Sequence, residues 1–90
     1  MTVAQRIKAA AVEGFLRDQG HEFSEFEGGD WVPGVRVAQA GRRQVNVFWD
    51  GPGEADQLNT ITNELREAGY HVAGTQQDPG GRRRLEVTLP

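Results

Sequence analysis

The sequence predicts an α+β fold: two helices packed on one face of a four- to five-stranded, mainly antiparallel sheet, in the order αβββαββ. Three observations predict it. Apolar residues recur at helical spacing over two stretches, each closed by a glycine, Gly20 and Gly69. Side chains alternate between two faces in others, with Val45, Val47 and Trp49 set against Asn46 and Phe48, and Leu85, Val87 and Leu89 against Arg84, Glu86 and Thr88. A helix–strand–strand block also occurs twice along the chain.

The first helix is predicted to begin on a capping box, with Thr2 at the N-cap and Gln5 at the third helical position. Ile7, Ala11, Val12, Phe15 and Leu16 form its apolar stripe, with Arg6, Glu13 and Arg17 outside. Gly20 takes the left-handed position that ends it. Residues 21–27 form a short strand candidate carrying Phe23, broken by Gly28-Gly29-Asp30. Residues 32–39 form a better one, Val35 and Val37 on one side and Arg36 and Ala38 on the other. A turn at Ala40-Gly41-Arg42 leads into the clearest strand, residues 44–50. Asp50-Gly51-Pro52-Gly53 opens the second helix, where a proline lacking an N–H costs no helical bond. Leu58, Ile61 and Leu65 are its buried stripe and Glu54 and Asp56 favour its dipole. Residues 70–75 are a strand, 76–81 a Gly/Pro loop, and 82–89 the last strand.

The repeat is visible when Leu16-Arg17-Asp18-Gln19-Gly20-His21-Glu22-Phe23 is set above Leu65-Arg66-Glu67-Ala68-Gly69-Tyr70-His71-Val72. Residues 1–39 then form one helix–strand–strand unit, 53–90 the second, and 44–50 an extra strand between them. Duplication produces such a pattern, and so does helix-capping physics, which asks for the same residues at every helix end. Read cyclically from Gln44, the order is that of a circularly permuted ferredoxin-like domain, a topology that carries no activity with it.

Ninety residues make a single domain, since a second core does not fit at this size. The net charge of −3 argues against a protein whose main task is to coat duplex nucleic acid. The absence of cysteine excludes disulfides and thiolate zinc sites. No run is apolar enough for a membrane span and the N-terminus has no signal-like segment, so the expected location is cytoplasmic, with no membrane partner. Lys8 is the only lysine against nine arginines, which fits either a GC-rich genome or selection for planar, bidentate donors.

Candidate chemistry is sparse. His21 and His71 have no second ligand at helical spacing, so no metal site is expected. Ser24 lies in no nucleophile-elbow motif, and the glycine pairs match no phosphate loop. Glu22, Glu25, Glu27 and Asp30 read as a solvated acidic face. No catalytic residue, metal or cofactor is assigned. The sharper features are the arginine clusters Arg42-Arg43 and Arg82-Arg83-Arg84, both at hairpin tips, which either contact phosphates or protect sheet edges. The outward sheet face is expected to carry Arg36, Asn46, Phe48, His71 and Arg84, with Phe48 its one clear aromatic. The acidic loop is flanked by Phe26, an anchor if exposed, and Trp31, read as core.

The run Val45-Asn46-Val47-Phe48-Trp49-Asp50-Gly51, with the later segment Leu65 to Val72, resembles small uncharacterised proteins of high-GC bacteria and their phages. The resemblance covers about half the chain and implies no activity. It implies an accessory protein that acts by binding. The expected function is therefore a small non-enzymatic domain that binds a protein partner or a second copy of itself, with Arg42, Arg43, Arg82, Arg83, Arg84, Phe48 and Phe26 as candidate contacts. A nucleic-acid module using the arginine-rich tips is the alternative.

Overall fold

A computed structural model describes residues 6–27, 30–74 and 83–90, with residues 25–27, 30 and 31 described by their backbone. The elements in chain order are α1 (Ala9–Asp18), β1 (Glu25–Glu27), β2 (Asp30–Val32), β3 (Gly34–Gln39), β4 (Val45–Asp50), α2 (Glu54–Glu67), β5 (His71–Ala73) and β6 (Leu85–Thr88). Four strands form an antiparallel sheet in the order β3-β4-β6-β5, and β1 and β2 form a separate two-stranded ribbon.

The alternation in the sequence sets the two faces of the sheet. Val35 pairs with Trp49, Val37 with Val47 and Gln39 with Val45; Val45 pairs in turn with Val87, and Val87 with Val72. This row faces the helices. Val35, Val45, Val47, Val72, Val87 and Leu85 share one buried cluster with Ile7, Val12 and Leu16 from the α1 side and Leu58, Ile61 and Leu65 from α2, and Val37 packs against it half-buried. Burial of an aliphatic side chain contributes on the order of 1.5–3 kcal/mol, so this single layer is the main source of stability.

Both helices end in the same way. Gly20 and Gly69 take positive φ, 91° and 98°. The N–H of His21 donates to Leu16 and that of Gly20 to Arg17; Tyr70 donates to Leu65 and Gly69 to Arg66. This is the Schellman motif, which asks for a glycine at the same place in both blocks. Beyond the cap the halves differ. Val72 enters an antiparallel pair with β6, whereas Phe23 forms only a parallel bridge with Val35.

Three expectations are corrected. First, α1 starts at Ala9, with residues 6–8 non-helical, so the helix does not run on from Thr2; the capping box itself lies outside the described residues. Lys8, at the N-cap, makes no side-chain cap, because Gln39 of β3 takes that role from across the fold. The Gln39 Oε1 accepts from the Ala9 N–H at 2.8 Å, while its Nε2 donates to the carbonyls of Ile7 at 2.9 Å and Gly41 at 2.6 Å. Second, residues 21–39 supply one strand to the main sheet rather than two. Pro33, with no N–H to offer a ladder, separates β2 from β3, so the expected strand over 32–39 divides there. Third, the last strand is shorter than expected: β6 covers Leu85–Thr88, and Arg82 and the 76–81 loop lie outside the described residues.

The crossing of Phe23 and β3 requires a glycine. The Ser24 N–H donates to Val35 and the Val35 N–H to Glu22, both at 2.9 Å. A Cβ on Gly34 would lie 2.5 Å from the Phe23 carbonyl carbon and 2.6 Å from Glu22 O and Ser24 N, all backbone atoms that cannot swing away. Gly34→Ala is expected to lower stability by about 2–3 kcal/mol in a thermal or urea melt. Gly14→Ala, inside α1 with open space around it, is expected to raise it by about 0.5–1 kcal/mol.

Candidate functional site

The outward face of the sheet carries several side-chain pairs. Arg36 and Phe48 are direct partners across β3 and β4. The Arg36 guanidinium lies over the Phe48 ring, 4.2 Å from its centroid, and its Nε donates to Asp50 Oδ2 at 3.0 Å. Beside them Gln44 Nε2 donates to Asn46 Oδ1 at 2.9 Å, and Arg84 Nη2 to Glu86 Oε1 at 3.3 Å. His71 lies exposed on the edge strand β5. The face does carry the expected Arg36, Asn46, Phe48, His71 and Arg84, but Phe48 is not a bare stacking platform. Its ring is half-buried and already holds a cation from its own sheet.

The arginine tips do not form one surface. Arg42 and Arg43 are exposed in the β3–β4 turn, next to the end of the sheet where Val45 pairs with Val87. Arg84 lies toward the other end, where the continued β4–β6 register puts it opposite Phe48. Three residues of β4, about 10 Å at the usual rise, separate these levels. Arg83, half-exposed, instead lines a shallow depression with Leu58, Thr62 and Arg66 of α2. Arg82 lies outside the described residues.

Arg42 has different company. The Ile7 N–H donates to the Arg42 carbonyl at 3.2 Å, which lays residues 6–8 along the turn. Arg6, Lys8 and Arg42 then line one depression with Gln39 and Gly41, a cavity of about 450 Å³. Sequence reasoning missed Arg6, Lys8 and Gln39 as a group, because it placed residues 6–8 inside a helix. Nothing in the local sequence announces a contact between residues 7 and 42.

The β1–β2 ribbon holds the acidic segment. Glu25 pairs with Val32, Phe26 with Trp31, and Glu27 with Asp30. Phe26 and Trp31 are thus cross-strand partners, and two carboxylate residues face each other at the tip. Like charges directly opposite destabilise a strand pair, and two-stranded ribbons are marginal in water to begin with. Val32, at the base of the ribbon, is an exposed large hydrophobic side chain, and Pro33 beside it is exposed as well. The core assignment of Trp31 concerns a side chain outside the described set; its backbone belongs to the ribbon and not to the four-stranded sheet.

The two histidines are apart in role. His21 Nε2 lies 2.5 Å from Glu64 Oε1, joining the end of α1 to α2 in a half-buried pair, while His71 is exposed. Among the described residues no three His, Asp or Glu side chains are grouped to hold a metal ion. No helix among them is long and apolar enough to cross a membrane.

Comparison with family models, with curated proteins and with solved structures finds no match. The surfaces of this chain are therefore read from their own chemistry. For the His21–Glu64 pair that chemistry is structural. A double-mutant cycle with His21→Gln and Glu64→Gln is expected to give a coupling of about 1–2 kcal/mol in urea denaturation, the size of a partly buried charge-assisted hydrogen bond.

Proposed function

We propose that this chain is a small non-enzymatic accessory domain that binds a protein partner through the β1–β2 ribbon. The carrying observation is the register of that ribbon. Phe26 opposite Trp31 and Glu27 opposite Asp30 make a two-stranded element that does not join the main sheet. Its pairing places acidic residues against each other at the tip, a cost that a cationic partner would offset. Exposed Val32, at the base of the ribbon, supplies an apolar contact of the kind that protein interfaces bury. The partner chemistry implied is a basic surface with an apolar pocket.

The strand order β3-β4-β6-β5, with β6 between β4 and β5, supports the finer reading of a circularly permuted ferredoxin-like sheet carrying the ribbon as an insertion. A cytoplasmic, phage-type or mobile-element accessory role belongs to the same reading. The nucleic-acid alternative is weakened at its stacking surface, because Arg36 covers Phe48 and the arginine tips are split between two ends of the sheet.

A photo-crosslinking residue at position 26 or 31, irradiated in extract of the producing cells, tests the proposal. A discrete adduct with one protein is expected, absent when the same residue is placed at Asn59 on the exposed side of α2. Equal labelling from both positions, or none from the ribbon, counts against it. Light scattering separates self-association from a different partner: a monomer at low and high salt and at high concentration removes the homodimer.

A further inference from the structure

The depression formed by Arg6, Lys8 and Arg42 lies well away from the ribbon. The ribbon leads into β3 at Gly34, and the depression gathers around Gln39 at the other end of that strand, about 17 Å away along the strand. We infer that this depression is a binding site for a phosphate group, carried on a small molecule or on a nucleic-acid backbone.

Three observations carry the inference. All three charged side chains lining the depression are cationic. None of Arg6, Lys8 and Arg42 forms an ion pair among the described residues. In a protein of net charge −3 this is a local concentration of cationic charge, which an anion complements. The third observation is that the cluster is fixed and not incidental. The Ile7–Arg42 backbone bond sets the two segments side by side, and the Gln39 amide ties Ile7, Ala9 and Gly41 to one another. The backbones carrying the cations are thereby pre-arranged before any ligand arrives, which lowers the ordering cost of binding.

The geometry favours phosphate over a carboxylate side chain. A carboxylate offers two coplanar oxygens, which one guanidinium fork satisfies. A tetrahedral phosphate presents oxygens in several directions and takes donors from all of them, here two guanidinium groups and an ammonium from two chain segments. A cavity of about 450 Å³ accommodates that group together with part of whatever bears it.

Amide chemical-shift titration of the full chain at low ionic strength tests the site, with sodium phosphate as ligand and sodium chloride at matched ionic strength as control. Saturable shifts are expected at Arg6 to Ala10 and Gly41 to Arg43 with phosphate and not with chloride. The double variant Arg6→Gln, Arg42→Gln alters only exposed side chains, so it is expected to fold, and its affinity is expected to fall at least about tenfold. Arg83→Gln, on the other depression, is expected to leave the affinity unchanged. Gln39→Ala removes no charge, yet it is expected to weaken binding by loosening the two segments. A second arm uses a short single-stranded oligonucleotide. If it binds far more tightly than phosphate and phosphate competes it off, the group is read on a nucleic-acid backbone; if it binds no better, the ligand is a small phosphate compound. Shifts no different from those with chloride in both arms, or affinity unchanged in the double variant, overturn the site. So does oligonucleotide binding that maps to Arg83 and Arg84 instead. Failure of the ribbon to capture a partner leaves this result untouched, since the two surfaces share no residue.

Discussion

The side-chain amide of Gln39 is the interaction on which the rest of the arrangement leans. α1 is ten residues long, too short to persist in water on propensity alone, and its own N-cap residue offers no side-chain bond. Gln39, at the last position of β3, accepts from the first helical N–H and donates to the carbonyls of Ile7 and Gly41. One amide thus anchors the helix start, the segment before it and the turn after the strand. Once that end is fixed, Val12 and Leu16 lie over Val35 and its neighbours, and Ile7 closes the edge of the core. The far end of α1 is held by its Schellman cap, by the short His21–Glu64 contact and by Arg17 over the Phe23 ring.

The same geometry separates the surfaces by charge. Pinning residues 6–8 to the β3–β4 turn collects cations at one end of β3, while the ribbon hangs its acidic residues from the other. Between them the open face of the sheet neutralises itself. Arg36 is tied to Asp50 and Arg84 to Glu86, so these guanidinium groups carry partners that the ribbon and the depression do not supply. Composition alone conceals this layout, because a net charge of −3 averages over two ends of opposite sign.

Some of this was legible before any coordinates. The alternation of Val45, Val47, Leu85 and Val87 placed them correctly in one buried face, and Leu58, Ile61 and Leu65 correctly in the buried stripe of α2. Gly20 and Gly69 marked both helix ends, because only a residue without a Cβ takes positive φ there at little cost. The start of α1 was misread, since residues 2–8 carry a plausible cap and a continuing apolar period, and Ile7 serves the core equally well as part of an extended segment. The ribbon was misread for a related reason: residues 21–27 and 32–39 read as two strands either side of a glycine break, and local pattern does not say which strand pairs with which. Among the candidate contacts, Arg42 and Arg43 were recognised as an exposed turn, but the cationic neighbours of Arg42, Arg6 and Lys8, come from more than thirty residues away in sequence.

By itself, then, the sequence determined what short-range physics controls: helix ends through glycine, strand faces through alternation, and the identity of the core through periodicity. Tertiary structure alone decided which segments meet. The Gln39 cap, the Gly34 crossing and the Arg6–Lys8–Arg42 depression each join residues far apart along the chain, and each depends on where the whole backbone places them. Polar side chains at such contacts look like any exposed residue in the sequence, because their pairing leaves no periodic trace.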